Sequence, residues 1–417
     1  MTFLNKCLII IYTLLLLKMN WISSNDTIII GPEFNAELNI QSMIACTKLI
    51  FSDYRLNEKL FEYYKVHDRI NEFSDIIKSK FDNNVSKLPM NLTHLIFGYE
   101  FNKDVSNLPS SLTHLTFGYE FNKDVSNLPS SLVHLIFGNN FNRNVSNLPP
   151  SLTHLTFDSN FNQDVSNLPP SLILIGFCWK FNKDISNLPS TLTRLIIGSG
   201  FNKDVSNLPL SLTHLTFGSN FNQDVSNLPP HITHLIFDWN FNQDVSNLPN
   251  TITHLTFSVS FDNDISNLPN GITHLKLGTN FNQDIFKLPD NLIYLKLGSS
   301  FDKKFDIPSS IKYLKLDCDN SYIINSLPNS IVELELDSDF GLEMNNLPTS
   351  IKKLKIYKHS DYDKDLNCLP DFVEELHLNR SYRKRIMKIP SNLKKLICDY
   401  YYPYKDDFTM CEIQTFD

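Results

Sequence analysis

The sequence predicts a right-handed repeat solenoid with one short parallel β-strand per twenty-residue coil. Three observations lead there. Proline recurs at 89, 109, 129, 149, 169, 189, 209, 229, 249, 269 and 289, a strict period of twenty, and continues at 308, 328, 348, 370 and 390. Inside each period a short run alternates outward and inward side chains, as in Thr113-His114-Leu115-Thr116-Phe117, which is the pattern of a strand buried on one face. Twenty residues also cannot hold a strand, two turns and a true helix, so the return side is expected to be extended or a single short turn.

Each position of the unit has a readable task. Leu112, Leu115 and Phe117 supply the inner face, and His114 and Thr116 point the other way. Gly118 ends the strand, and Phe121-Asn122 opens the next segment. Val105 and Leu108 add apolar positions on the return path, where Pro109 fixes φ at a point that needs no ladder donor. No coil can bury these faces alone, so stacking must create the core. The Asn that follows Phe (Asn102, Asn122, Asn142, Asn162, Asn182, Asn202, Asn222, Asn242, Asn282) is expected to be a buried amide bracing the bend against the next coil. Asp at 82, 262 and 302 would keep the acceptor and lose the donor.

The unit "LPSSLTHLTFG", with "FN" opening the next segment, resembles a leucine-rich repeat of the shortest kind. More specifically it is similar to the FNIP repeat family, found in multiple copies in slime moulds and giant amoeba viruses. The "FN" pair, the "NLP" step and the "SLTHLTFG" strand carry the match. Lys-Asp, Gln-Asp or Arg-Asn stands where the family often has Gln-Pro. The resemblance implies a leucine-rich-repeat-like solenoid for protein–protein interaction, with no catalytic residues to carry over.

The chain accordingly divides into an apolar leader or N-terminal helix at 1–19, a small, mostly helical region at 20–80, sixteen repeats over 81–400, and a Tyr-rich tail or cap at 401–417. Residues 38–51, "LNIQSMIACTKLIF", resemble the second half of an F-box through Ile40, Ser42, Met43, Cys46 and Lys48. Gly31-Pro32 falls where the first helix of that motif should run, and proline breaks a helix there. The alternative for 20–80 is a helical cap over the first coil.

Composition narrows the function classes. Hydrophobic residues are 42% of the 417, enough for a substantial core, and the net charge of −8 argues against a nucleic-acid surface. Seven scattered cysteines without a Cys-x-x-Cys pair fit a reducing, cytoplasmic compartment and neither a disulfide framework nor a zinc module. The apolar run 7–17 is too short for a comfortable membrane span but has the size of a signal-peptide core. The secretory route through residues 1–24 therefore stays open, and with it glycosylation of sequons at Asn25, Asn84, Asn91, Asn144 and Asn379.

Candidate binding residues lie on the outward, concave face of the strands. His94, His114, His134, His154, His214, His234, His254 and His274 form one column. Stacked imidazoles could bridge a metal ion, form an interaction surface or be inert strand residues. A regular ladder lacks the convergence of a metal site, and no metal or other cofactor is expected. Adjacent charged rings should also repel, making the ladder pH-sensitive.

The column is interrupted by Leu174 and Arg194; Cys178-Trp179-Lys180 replaces the usual Gly-polar ending, and Trp239 follows three coils later. Such residues are typical interface hot spots; drift among duplicated repeats is the alternative. Beyond residue 271, Lys276, Lys296 and Lys315 give way to Glu333 and Glu335, then Lys353 and Lys355, then Glu375, an arrangement expected to pair charges across strands.

These readings make the chain a non-catalytic scaffold that binds a protein partner. A sharper version has 20–80 dock a ubiquitin-ligase adaptor while the solenoid holds the target. The alternative is a secreted or surface structural repeat protein. An active site needs a unique pocket, and every candidate Asp or His recurs from copy to copy.

Overall fold

The computed structural model describes residues 21–24, 26–31, 34–36, 38, 46–51, 79–338 and 340–416. The chain divides into two compact units, Met1–Lys203 and Asp204–Asp417. Each is a parallel β-solenoid segment with one short strand per coil.

In the first unit Trp21–Ser24 pairs antiparallel with Thr27–Ile30. Thr27–Ile30 then pairs in parallel with Lys48–Phe51, and that strand with His94–Ile96. From there His114–Thr116, His134–Ile136, His154–Thr156, Leu174–Gly176 and Arg194–Ile196 follow in parallel register. The second unit runs in parallel from His214–Thr216 through His234–Ile236, His254–Thr256, His274–Lys276, Tyr294–Leu297 and Tyr313–Leu316. It continues through Glu333–Leu336, Lys353–Ile356, Glu375–His377 and Lys395–Asp399 to Glu412–Phe416.

The twenty-residue step sets each side chain over its own copy. Leu95, Leu115, Leu135 and Leu155 are all at most 1% exposed, and a slip by one residue would turn that whole column outward. Phe117 stacks on Phe121 at 3.7 Å, and Phe121 lies 6.1 Å from both Phe101 and Phe141. Val125 and Leu128 close the core from the return side.

Backbone groups are satisfied from coil to coil. The Thr113 and His114 N–H groups donate to the Thr93 carbonyl at 2.9 and 3.0 Å, and Phe117 N–H to Ile136 O at 2.9 Å. At the bend, Asn122 N–H donates to Asn102 Oδ1 at 2.9 Å, and Asp82 Oδ1 accepts from Asn102 N–H at 2.8 Å. The Asn column therefore braces the bend through side chain to backbone. It is half-buried to exposed, not buried as expected, because one carboxamide oxygen does the bracing and the amino group can stay in water.

At Gly118 the coils approach closely, and a Cβ there would lie 1.8 Å from Gly98 O unless the backbone shifts, as it must where Asp158, Cys178, Asp238 and Ser258 hold the same place. On the return side Asp124 Oδ2 accepts from Ser126 Oγ at 2.6 Å, a local turn repeated at Asp164, Asp184, Asp204, Asp224 and Asp244. Among the described residues of the second unit, the expected absence of α-helix on the return side has one exception, Ser321–Asn325. There Asn320 Oδ1 caps the Ile323 N–H at 3.2 Å.

The helical expectation for 20–80 is corrected wherever that region is described, since its elements there are strands. Ile28 and Ile30, then Leu49 and Phe51, are buried and alternate with half-buried neighbours, a period of two and not of 3.6. Lys48–Phe51, the end of the F-box-like segment, is a strand of the parallel ladder. The helical pattern over 53–78, residues 39–45 of that segment and the apolar run 7–17 lie outside the described residues. Among the described residues no helix is long and apolar enough to cross a membrane.

Past residue 400 the tail supplies a further coil. Tyr402 and Phe408 are buried, and Glu412–Phe416 pairs with Lys395–Asp399.

Candidate functional site

The outward strand positions bring the His column together. In the first unit His94, His114, His134 and His154 stack with ring centroids 4.1, 4.4 and 4.1 Å apart. In the second, His214, His234, His254 and His274 stack at 4.3, 4.3 and 4.2 Å, and Tyr294 follows His274 at 5.8 Å. All eight imidazoles are half-buried, their faces covered by each other and their edges turned outward.

The residue before each His completes the arrangement. Thr113 Oγ1 donates to Thr93 O at 3.1 Å and lies 2.9 Å from His114 Nδ1. Thr93, Thr153, Thr233, Thr253 and Thr273 repeat this double contact with their own preceding coil and histidine. A hydroxyl has one hydrogen and a carbonyl only accepts. Both contacts hold together only when Nδ1 carries the ring proton and donates to Oγ1. The neutral imidazole then presents the Nε2 lone pair outward. His134 is the exception, because Val133 precedes it.

Burial opposes charge on five of these rings, His94, His114, His154, His254 and His274, and neighbouring charged groups add to it. Burial first, then His94, His134 and His154, push His114 down from 6.5 to about 4. Burial followed by Lys48 lowers His94, and burial followed by His134 and Arg194 lowers His154. In the second unit burial, His234, His214, His274 and Lys276 lower His254, and burial with Lys276 and His234 lowers His274. Parallel rings also have parallel lone pairs, which do not converge on one ion. Among the described residues no group of three or more His, Cys, Asp or Glu is placed to hold a metal.

The other candidates do not join the ladder equally. Leu174 takes the His position, half-buried, with Gly176 beside it on the strand. Arg194 is exposed on the strand, next to Ile196 at 48% exposure. Trp179 and Trp239 are 67% and 56% exposed, but both sit in the bend beyond the strand, in a different column from the histidines.

The second unit has a shallow groove of about 350 Å³ on its strand face. It is lined by His234, His254, His274, Ile236, Thr256, Lys276 and Tyr294. Beyond it the expected charge pairing is present. Lys315 bonds Glu335 at 2.5 Å and Asp337 at 2.9 Å, Lys296 bonds Asp337 at 3.2 Å, and Lys353 bonds Glu375 at 2.9 Å. Lys355 crosses diagonally to Glu333. Burial works against the Lys315 charge, but its bonds to Glu335 and Asp337 outweigh that and raise it.

The FNIP Repeat family model matches residues 84–120, 104–140, 141–178, 181–220, 221–260, 261–300, 285–319 and 301–339, more than half of the chain. The chain belongs to the FNIP repeat family. Among solved structures, this FNIP-repeat protein is similar to CroV588, from the giant virus CroV and described as a novel circular LRR protein. That match has 29% identity and a TM-score of 0.66 over 94% of this chain and 70% of the other. The functional domain of InlJ from Listeria monocytogenes matches at 16% identity and TM-score 0.43, over 80% and 71% of the two chains. YopM from Yersinia enterocolitica WA-314 matches at 20% and 0.42, over 76% and 82%. No curated protein sequence gave a match.

Two parts of the FNIP face escaped the sequence reading. The threonines before the histidines were visible as a Thr-His pair in seven of eight copies, but a hydroxyl that bonds backward to another coil has no local signature. Tyr294 extends the His column twenty residues after His274, a place the period already marks, but the change from imidazole to phenol left it out of the candidate column.

Proposed function

We propose that this FNIP-repeat protein is a non-catalytic scaffold that binds a protein partner on the outward face of its strands. A leucine-rich-repeat-like solenoid is a typical protein-interaction fold. The observation that carries the reading is the division of labour within each coil. The inward columns are occupied by core, many return-side polar groups by turns and bracing, and the outward strand columns carry exposed Ile136, Ile196 and Ile236 and, in the second unit, a lined groove. Exposed apolar positions beside polar groups of fixed geometry suit partner docking.

Two of the thiols are placed for packing. Cys318 and Cys398 are buried and free, and burial pushes both up to about 11, far from thiolate chemistry at neutral pH.

The test is affinity capture from host lysate with the full chain and with an Ile236→Arg/Thr256→Arg variant. A protein retained by the parent and lost by the folded variant supports the reading. Equal retention moves the interaction off this face. The ligase version would add an adaptor to the captured set. Since Lys48–Phe51 is committed to the sheet, an adaptor would have to dock on other residues of 20–80.

The secreted alternative is read by intact mass on protein from its natural host. It requires loss of the leader and glycan on exposed Asn84, Asn91 or Asn144. Asn379 is buried, and its Nδ2 already donates to Ser360 O at 2.7 Å and Tyr362 O at 3.1 Å, so it should remain bare in the folded chain.

A further inference from the structure

The outward positions of four successive coils in the second unit contain no carboxylate. They are Thr213, His214 and Thr216; Thr233, His234 and Ile236; Thr253, His254 and Thr256; and Thr273, His274 and Lys276. The permanent charge among them is Lys276, which is exposed and meets no carboxylate among the described residues; its ammonium lies 6.0 Å from the Tyr294 ring centroid. The carboxylates beyond Tyr294 are already engaged, Glu335 by Lys315 and Asp337 by Lys315 and Lys296. Behind the ladder are Leu215, Leu235, Leu255 and Leu275, buried and apolar. The groove thus holds one unpaired cation and three imidazoles with no local counter-ion.

The threonines decide where a proton enters. Thr233, Thr253 and Thr273 already hold the Nδ1–H of their histidines. The next proton therefore goes to Nε2, the outward atom, and the ring need not turn. A ring so protonated offers one charge-assisted donor directed away from the protein. Each such donor suits a single carboxylate.

We propose that this groove docks an acidic segment of a protein partner, with carboxylates received by Nε2–H of alternate rings, His234 and His274 together or His254 alone, and by the ammonium of Lys276. This names the partner class for the scaffold reading above and rests on it. Apolar side chains of the same segment fit against Ile236 near one end of the groove and Tyr294 near the other.

Docking is coupled to proton uptake. Free His254 and His274 resist protonation because they are part-buried and because Lys276 and neighbouring imidazoles oppose it. A carboxylate at Nε2 reverses that balance. Protons on neighbouring rings 4.2 Å apart repel, so uptake falls on alternate rings, about one to two protons per complex. Affinity therefore rises as pH falls.

The experiment is fluorescence anisotropy of the full chain with three labelled probes: a peptide alternating Glu and Val, its Gln/Val counterpart, and oligo(dT). It is run at about pH 7.5, 6.5 and 5.5, with far-UV circular dichroism confirming the fold at each pH. The Glu/Val peptide should bind at least about tenfold more tightly at the lowest pH than at the highest, or about threefold more tightly at the middle one if the fold limits the range. The Gln/Val peptide should not bind. His254→Gln/His274→Gln should flatten the pH dependence, and Lys276→Glu should weaken binding at every pH.

Equal binding of the Glu and Gln peptides, no pH dependence, or unchanged binding by both variants overturns the proposal. Oligo(dT) bound as tightly as the Glu peptide overturns it in favour of a generic polyanion surface. If no peptide binds while a protein is still captured through Ile236 and Thr256, the acidic-partner proposal fails and the scaffold reading stands.

Discussion

His254 lies face to face with His274, ring centroids 4.2 Å apart and planes 8° from parallel, and each ring is tied through Nδ1 to the threonine before it. The same relationship in the first unit joins His94 to His114. Such a stack is compatible with neutral rings, and a proton on any member is opposed by the others.

The pH dependence of stability follows. His114 is lowered from 6.5 to about 4 in the fold, chiefly by burial and then by its neighbouring histidines. Between those values the unfolded chain binds more protons than the folded one, so stability falls as pH drops. Urea midpoints should be flat above the unfolded value of 6.5 and decline from there toward about 4. His114→Gln should reduce the slope in that window. A rising midpoint on acidification would contradict the account.

The aromatic core sets a second expectation. Phe121 is fully buried, packed against Phe117 at 3.7 Å and in line with Phe101 and Phe141. Phe121→Ala should cost about 3–5 kcal/mol. Its effect should be confined to nearby coils in hydrogen exchange, since each coil contacts only its neighbours.

Two glycines should behave oppositely. At Gly118 a Cβ would fall 1.8 Å from a backbone oxygen, whereas at Gly176 it would meet the Thr156 side chain at 3.3 Å. Gly118→Ala should destabilise by about 1–3 kcal/mol and Gly176→Ala by less than about 1 kcal/mol. Urea titration of the two variants checks the order.

Lys315 ties together the carboxylates of Glu335 and Asp337. Lys315→Ala leaves both without that cation in a half-buried setting, at a cost of about 1–3 kcal/mol after allowing for solvent screening. High salt should narrow the difference between variant and parent.

Much of this was legible in the sequence because one short pattern is repeated many times. A period of twenty with alternating Leu115 and Phe117 leaves little besides a stack of parallel strands. The N-terminal strands were not legible: Thr27–Ile30 and Lys48–Phe51 carry no Leu-Pro step, and their pairing depends on the free edge that the His94–Ile96 coil presents. The His column could be placed on the outward face by parity, but its protonation geometry could not. Thr253 bonds a carbonyl twenty residues earlier, and only the fold brings that carbonyl near. Conversely, Trp179 and Trp239 stood out in the sequence, yet they occupy the bends and not the strand face.

The central claim is that the outward strand face, and not the return side, meets the partner. Site-specific photo-crosslinking tests it most directly, with the photoreactive residue placed at Ile236, exposed on the strand, or at Asn247, exposed on the return side. The account expects a partner adduct from position 236 and none from 247. Adducts from 247 alone, or equally from both, would contradict it.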